Sequence, residues 1–175
     1  VCSSDLSIGN GVKQDIQNSI SSLGSNLLMV MPGAPRTPGV RPSAGSMKSL
    51  KVSDYEAISK LDGVKAASPM TNGSYVVIYQ NKNWTTSVSG VSYNYLDVNN
   101  WSMKSGRFLS EKNVQNRERV AVVGKTVVKN LFGDEDPVGA EIRVKNIPFR
   151  IIGVLNSKGS GAMGNDQDDM VVIPY

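Results

Sequence analysis

No uninterrupted apolar run in this chain exceeds about five residues. A helix that crosses a bilayer needs about 20, so the apolar residues must be buried as short strands and helix faces of a layered domain. The runs that matter are Asn26 to Met31, Val120 to Val123, and Ile151 to Leu155 with Gly153 inside it. A chain of 175 residues can bury roughly 70% of the surface its unfolded form exposes, so the core needs no metal or disulfide. Cys2 is the only cysteine, and an internal disulfide is excluded.

Periodicity divides the chain. Ile8, Val12, Ile16, Ile20 and Leu23 recur every three or four residues, which predicts an amphipathic helix capped at Gly24. Asn26 to Met31 reads as a buried strand. Gly33 to Ser49 carries Pro35, Pro38 and Pro42 with Arg36, Arg41 and Lys48 and no acid, the composition of a mobile basic loop suited to partner contact. Ser53 and Glu56 have capping-box spacing, and a short helix follows to Gly63. Val64 to Pro69 and Ser74 to Gln80 read as strands joined at Asn72-Gly73. Further on come a strand over 84–91, a helical turn over 93–101 and a strand over 118–123. A helix from Lys125 to about Phe132, a hairpin around Asn146 and a strand from Met170 to Ile173 complete the pattern. Without a regular βαβ period, this is an α+β fold with mostly antiparallel pairing.

The residue inventory narrows the chemistry. Histidine is absent, which removes Ser-His-Asp and Cys-His catalysis and every zinc site that uses histidine. The net charge of +4 is scattered, which argues against nucleic acid as a partner. Gly124-Lys125-Thr126 copies the end of a phosphate-binding loop, but Arg119 stands where the first glycine belongs. Asp166, Asp168 and Asp169, with Asp134 and Asp136, lack the spacing of a calcium loop and read as solvated carboxylates. Glu56, Glu111, Glu118 and Glu141 form no recognisable hydrolytic pair. No catalytic, cofactor-binding or metal residue is therefore assigned, and no small-molecule pocket is expected.

One ordered series of residues goes further. Val120-Ala121-Val122-Val123-Gly124, Leu131-Phe132-Gly133, Asp136-Pro137-Val138-Gly139, Ile142 and Phe149 to Leu155 occur in sequence. They resemble the signature of MacB-like periplasmic core domains, found in ABC transporter permeases. Leu23-Gly24-Ser25-Asn26, Gly106-Arg107-Phe108 and Ile173-Pro174-Tyr175 agree with it as well. Ala140 departs from it, where the family usually has lysine. The glycines Gly124, Gly133, Gly139 and Gly153 and the proline Pro137 read as structural: tight turns, a fixed φ and a bulge or close approach within a strand.

The resemblance implies a porter-like β-α-β lobe (residues 1–82 and 159–175) holding an inserted mixed lobe (83–158). It implies a place on the periplasmic or extracellular face of the bacterial cytoplasmic membrane, between two membrane helices. ATP would be bound and hydrolysed by a separate ATPase domain or subunit, the full transporter would be a homodimer, and a periplasmic adaptor would be a partner. Macrolide, peptide or toxin export stands first among the implied functions, with lipoprotein release or control of cell-wall hydrolases as the alternative. A free-standing periplasmic binding module is the reading from another class. The isolated domain is expected to be largely monomeric.

Overall fold

The structure, a computed structural model, describes residues 27–31, 50–161 and 166–175. The helix expected over Ile8 to Leu23 and the basic segment with Arg36, Arg41 and Lys48 lie outside them. Helix α1 spans Val52–Ser59, followed by strands β1 (Met70–Tyr79) and β2 (Lys82–Val91). Then come α2 (Tyr95–Asn99), β3 (Met103–Gly106), α3 (Glu111–Gln115), β4 (Val120–Val123) and α4 (Lys125–Leu131). The hairpin strands β5 (Glu141–Val144) and β6 (Ile147–Leu155) and the strand β7 (Met170–Pro174) complete the order.

The seven strands of the described residues belong to one sheet, ordered β3-β6-β4-β7-β2-β1-β5, and β5 also pairs with β6. The ring β1-β2-β7-β4-β6-β5 is thereby closed, with β3 added beside β6. Only β2–β7 and β4–β6 run parallel. Inside the ring, Val77, Val88, Ala121, Val123, Ile142, Val144, Ile151 and Val171 are buried together with Leu131 and Phe132 of the α4 end. A second cluster on the other face joins Val120, Val122, Ile152, Leu155 and Val172 to Tyr95 and Leu109. Strand β4 therefore has apolar packing on both faces, which is why it reads V-A-V-V without polar alternation. The expected lobe boundary at 82/83 falls just inside β2, which pairs with β1 over ten positions. Likewise β7, placed in one lobe, pairs with β2 and β4 of the other.

Local chemistry explains several differences from the sequence expectations. Asn72-Gly73 is no turn: Gly73 sits inside β1 opposite Val88. A Cβ there would lie 2.6 Å from the Tyr75 hydroxyl, so glycine makes room for that ring. The chain instead reverses at Gln80-Asn81, with Gln80 at φ 51°. Val64 to Pro69 forms no strand; β1 starts immediately after Pro69, which has no N–H to give a ladder. Helix α1 is capped two residues early: the Asp54 carboxylate accepts the Lys51 N–H at 2.8 Å, leaving Ser53 inside the helix. The apolar run Leu27 to Met31 is not a buried strand: its residues are 40–84% exposed and pair with none of the described strands. Composition supplies strand propensity, but a strand also needs an edge to pair with.

One core atom is unsatisfied. Thr86 is buried on β2, and its hydroxyl has no hydrogen-bond partner among the described residues. Removing a buried, unpaired hydroxyl relieves a desolvation cost of about 1–3 kcal/mol. Thr86→Val is expected to raise unfolding stability by about 1 kcal/mol in urea titrations with an unchanged m-value; a loss of stability would show that the hydroxyl is satisfied.

Candidate functional site

The segment that carried the phosphate-loop comparison and the acidic residues come together at one place, where β4 turns into α4 beside the β6–β7 connection. Gly124 is the N-cap of α4. Its N–H donates to the Met170 carbonyl at 2.9 Å, and the Thr126 N–H donates to the Asp168 carbonyl at 3.3 Å. A Cβ on Gly124 would stand 2.2 Å from the Asp168 carbonyl oxygen, so only glycine permits this approach. Two of the amides that would cradle a phosphate are thus committed to the neighbouring chain. The turn is a structural joint between β4, α4 and β7.

Asp166 is an exposed loop carboxylate as expected, Asp169 is half-buried, and Asp168 departs from the expectation. Asp168 is 5% exposed. Its carboxylate accepts the Lys158 N–H at 2.8 Å, the Gly159 N–H at 3.2 Å and the Ser157 hydroxyl. A buried carboxylate is tolerable only with such donors around it. Asp166 accepts the Thr126 hydroxyl at 2.6 Å and the Asp168 N–H at 2.8 Å, tying the connection to α4. Asp169 accepts the Trp84 indole N–H at 2.8 Å, tying it to β2. Asp166 serves α4, Asp169 serves β2 and Asp168 serves the loop after β6, and among the described residues no group of three or more His, Cys, Asp or Glu could hold a metal ion. Asp136 accepts the Val138 N–H at 3.0 Å in the turn around Pro137.

The signature glycines fall where their geometry matters. Gly133 and Gly139 have φ of +68° and +94°, the left-handed region that glycine enters without a Cβ penalty. Gly153 lies opposite a register shift in β4–β6, and a Cβ on it would meet the Arg107 carbonyl oxygen at 2.5 Å. Of the glutamates, Glu118 accepts the buried Asn113 amide at 2.7 Å, Glu111 accepts Gln115 at 2.9 Å, and Glu141 lies on the solvent side of β5.

One further cluster has no local signal in the sequence. Lys158 donates through Nζ to the Asn99 carbonyl at 2.6 Å and stands 4.8 Å from the centre of the Trp101 ring. Burial lowers its pKa below the usual lysine value. The Trp101 indole N–H donates to the Asn156 carbonyl at 2.7 Å. This cluster ties the end of β6 to α2 and β3. Burial likewise raises the pKa of Tyr95, which stacks on Phe108 in the second core cluster.

Among the described residues no helix is long and apolar enough to cross a membrane. The family model for the MacB-like periplasmic core domain matches residues 2–175. The chain belongs to this family. A macrolide export ATP-binding/permease protein MacB of Rhodospirillum rubrum is 43% identical over 171 residues, covering 97% of this chain and 26% of that relative. The chain thus spans about a quarter of the length of the curated relatives it matches. The crystal structure of the periplasmic region of MacB from Actinobacillus actinomycetemcomitans superposes with a TM-score of 0.71 at 28% identity, over 93% of this chain and 71% of that one. The extracellular domain of the noncanonic ABC-type transporter YknZ from Gram-positive bacteria shares the fold, with a TM-score of 0.61 at 21% identity over 70% of this chain and 61% of that one. This MacB-like domain is a periplasmic one, and its α/β architecture is that of its structural relatives.

The Asp168 carboxylate should be the most sensitive of the three acids. Asp168→Asn puts an amide N–H₂ among donors and is expected to cost about 2–3 kcal/mol in denaturant unfolding, while Asp169→Asn, whose carbonyl can still accept the Trp84 N–H, should cost under about 1 kcal/mol. Equal losses in the two variants would refute the distinction.

Proposed function

We propose that this chain is the extracytoplasmic domain of an ABC transporter permease that couples ATP hydrolysis in the cytoplasm to export across the cell envelope. The observation that carries this reading is the 43% identity, along 97% of the chain, to a macrolide export ATP-binding/permease protein. Macrolide-type export is accordingly the first substrate class. In this reading the domain is not catalytic. The committed Gly124 and Thr126 amides and the buried, hydrogen-bonded Asp168 support that view, and ATP belongs to a part of the transporter other than this domain. The partners are the transporter's own membrane helices and ATPase, a second copy in a homodimer, and a periplasmic adaptor.

The division into a porter-like lobe (residues 1–82 and 159–175) and an inserted mixed lobe (83–158) also stands as a proposal. The basic segment with Arg36, Arg41 and Lys48 is retained as a partner-contact element on its composition.

The test uses the full transporter in a macrolide-sensitive bacterial host. Replacing Arg36, Arg41 and Lys48 together with glutamate should reduce macrolide resistance at least about tenfold, through lost charge complementarity, while detergent-solubilised ATPase activity is retained. Deleting residues 70–174 should abolish resistance altogether. Unchanged resistance after that deletion would overturn the coupling role.

A further inference from the structure

The joints of the strand ring are unequal. Strands β1 and β2 share ten register pairs, and β5 and β6 share four. The ring closes between β1 and β5 through only Val77–Val144 and Ile78–Arg143. Strands β4 and β7 also share two pairs, but that joint is continued by the Gly124 N–H to Met170 bond and the Thr126 N–H to Asp168 bond. It is also packed by apolar clusters on both faces. The β1–β5 joint has a core on one face only. On its other face Ile78 and Arg143 are exposed, and a cleft of about 310 Å³ lined by Ile78, Gln80, Glu141 and Arg143 runs along it.

The β5–β6 hairpin is anchored at its base. The Gly139 N–H donates to the Ile151 carbonyl, and the Ile151 N–H donates to the Ala140 carbonyl, each at 2.8 Å. Gly139 at φ +94° and Ala140 lead into one arm, and Arg150, whose N–H donates to the Arg119 carbonyl at 2.9 Å, leaves the other. Beyond these bonds, the stretch from Glu141 to Phe149 meets β1 through the two-pair joint and through Lys145, whose ammonium stands 4.3 Å from the centre of the Tyr75 ring.

We propose that the residues from Glu141 to Phe149 form a flap that opens the ring at the β1–β5 joint while the rest of the sheet stays folded. Local openings of this kind follow the elements with the fewest buried contacts and the most solvent-facing backbone bonds. Opening breaks the pairing of Val77 and Ile78 with β5 and presents Val77, Ile142 and Val144 to solvent. The hinge lies at Gly139-Ala140 and Arg150-Ile151. The flap is a conformational device of the fold, and it stands whether or not the export reading holds.

Native-state thiol labelling of the full 175-residue chain tests this, with Cys2→Ser as background. Val144→Cys lies on the flap and Val171→Cys lies on β7, and both positions are buried in the closed ring. A thiol at 144 should be modified at least about tenfold faster than one at 171, because the flap opens without global unfolding. Should Val144→Cys prevent folding, Ile142→Cys gives the same readout from the same inner face. Equal labelling rates at the flap and β7 positions would overturn the proposal, because the joint would then open only when the whole domain unfolds.

Discussion

The rest of the structure depends on the insertion of β7 between β2 and β4. Met170 to Pro174 pairs parallel with β2 through five register positions and antiparallel with β4 through Val171 and Val172. Val171 enters the core inside the ring, and Val172 and Met170 enter the cluster on the other face. Side chains at successive positions of a strand point to opposite faces, so this one strand serves both cores at once. Without it, the β1–β2 hairpin on one side and the β4–β6 pair on the other would be joined through the sheet only by the β1–β5 closure. Burying each such valine contributes roughly 1.5–3 kcal/mol relative to exposing it, before entropy is counted.

What brings β7 into place is a set of polar contacts in the connection before it. Asp168 gathers the N–H groups of residues 158 and 159, Asp166 holds α4 through Thr126, and Asp169 holds β2 through Trp84. Gly124 permits the close backbone approach on the other side. Chemistry-bearing residue types are spent here on architecture: the acids and the glycine fix the path of the chain into β7.

The parts of this arrangement that rest on local chemistry were legible in the sequence. Asn146 marks the β5–β6 hairpin, and Lys145 and Asn146 both adopt positive φ there. Residue type and spacing mark the β4-to-α4 turn at Gly124, the left-handed Gly133 and Gly139 and the irregularity at Gly153. What depends on distant partners was not legible. Asp168 looks solvated in the run Asp166-Gln167-Asp168-Asp169, because nothing local announces that residues 157–159 fold over it. Asn72-Gly73 has the form of a hairpin turn, yet pairing with β2 over ten positions outweighs that preference. Strand propensity in Leu27 to Met31 was visible; whether an edge would receive it was not.

The role of β7 is tested most directly by calorimetric unfolding of the full chain beside a version ending at Asp169. The full chain should melt in one cooperative transition that includes both core clusters, and the shortened chain should show none. A cooperative transition of similar enthalpy in the shortened chain would contradict the dependence of the fold on β7.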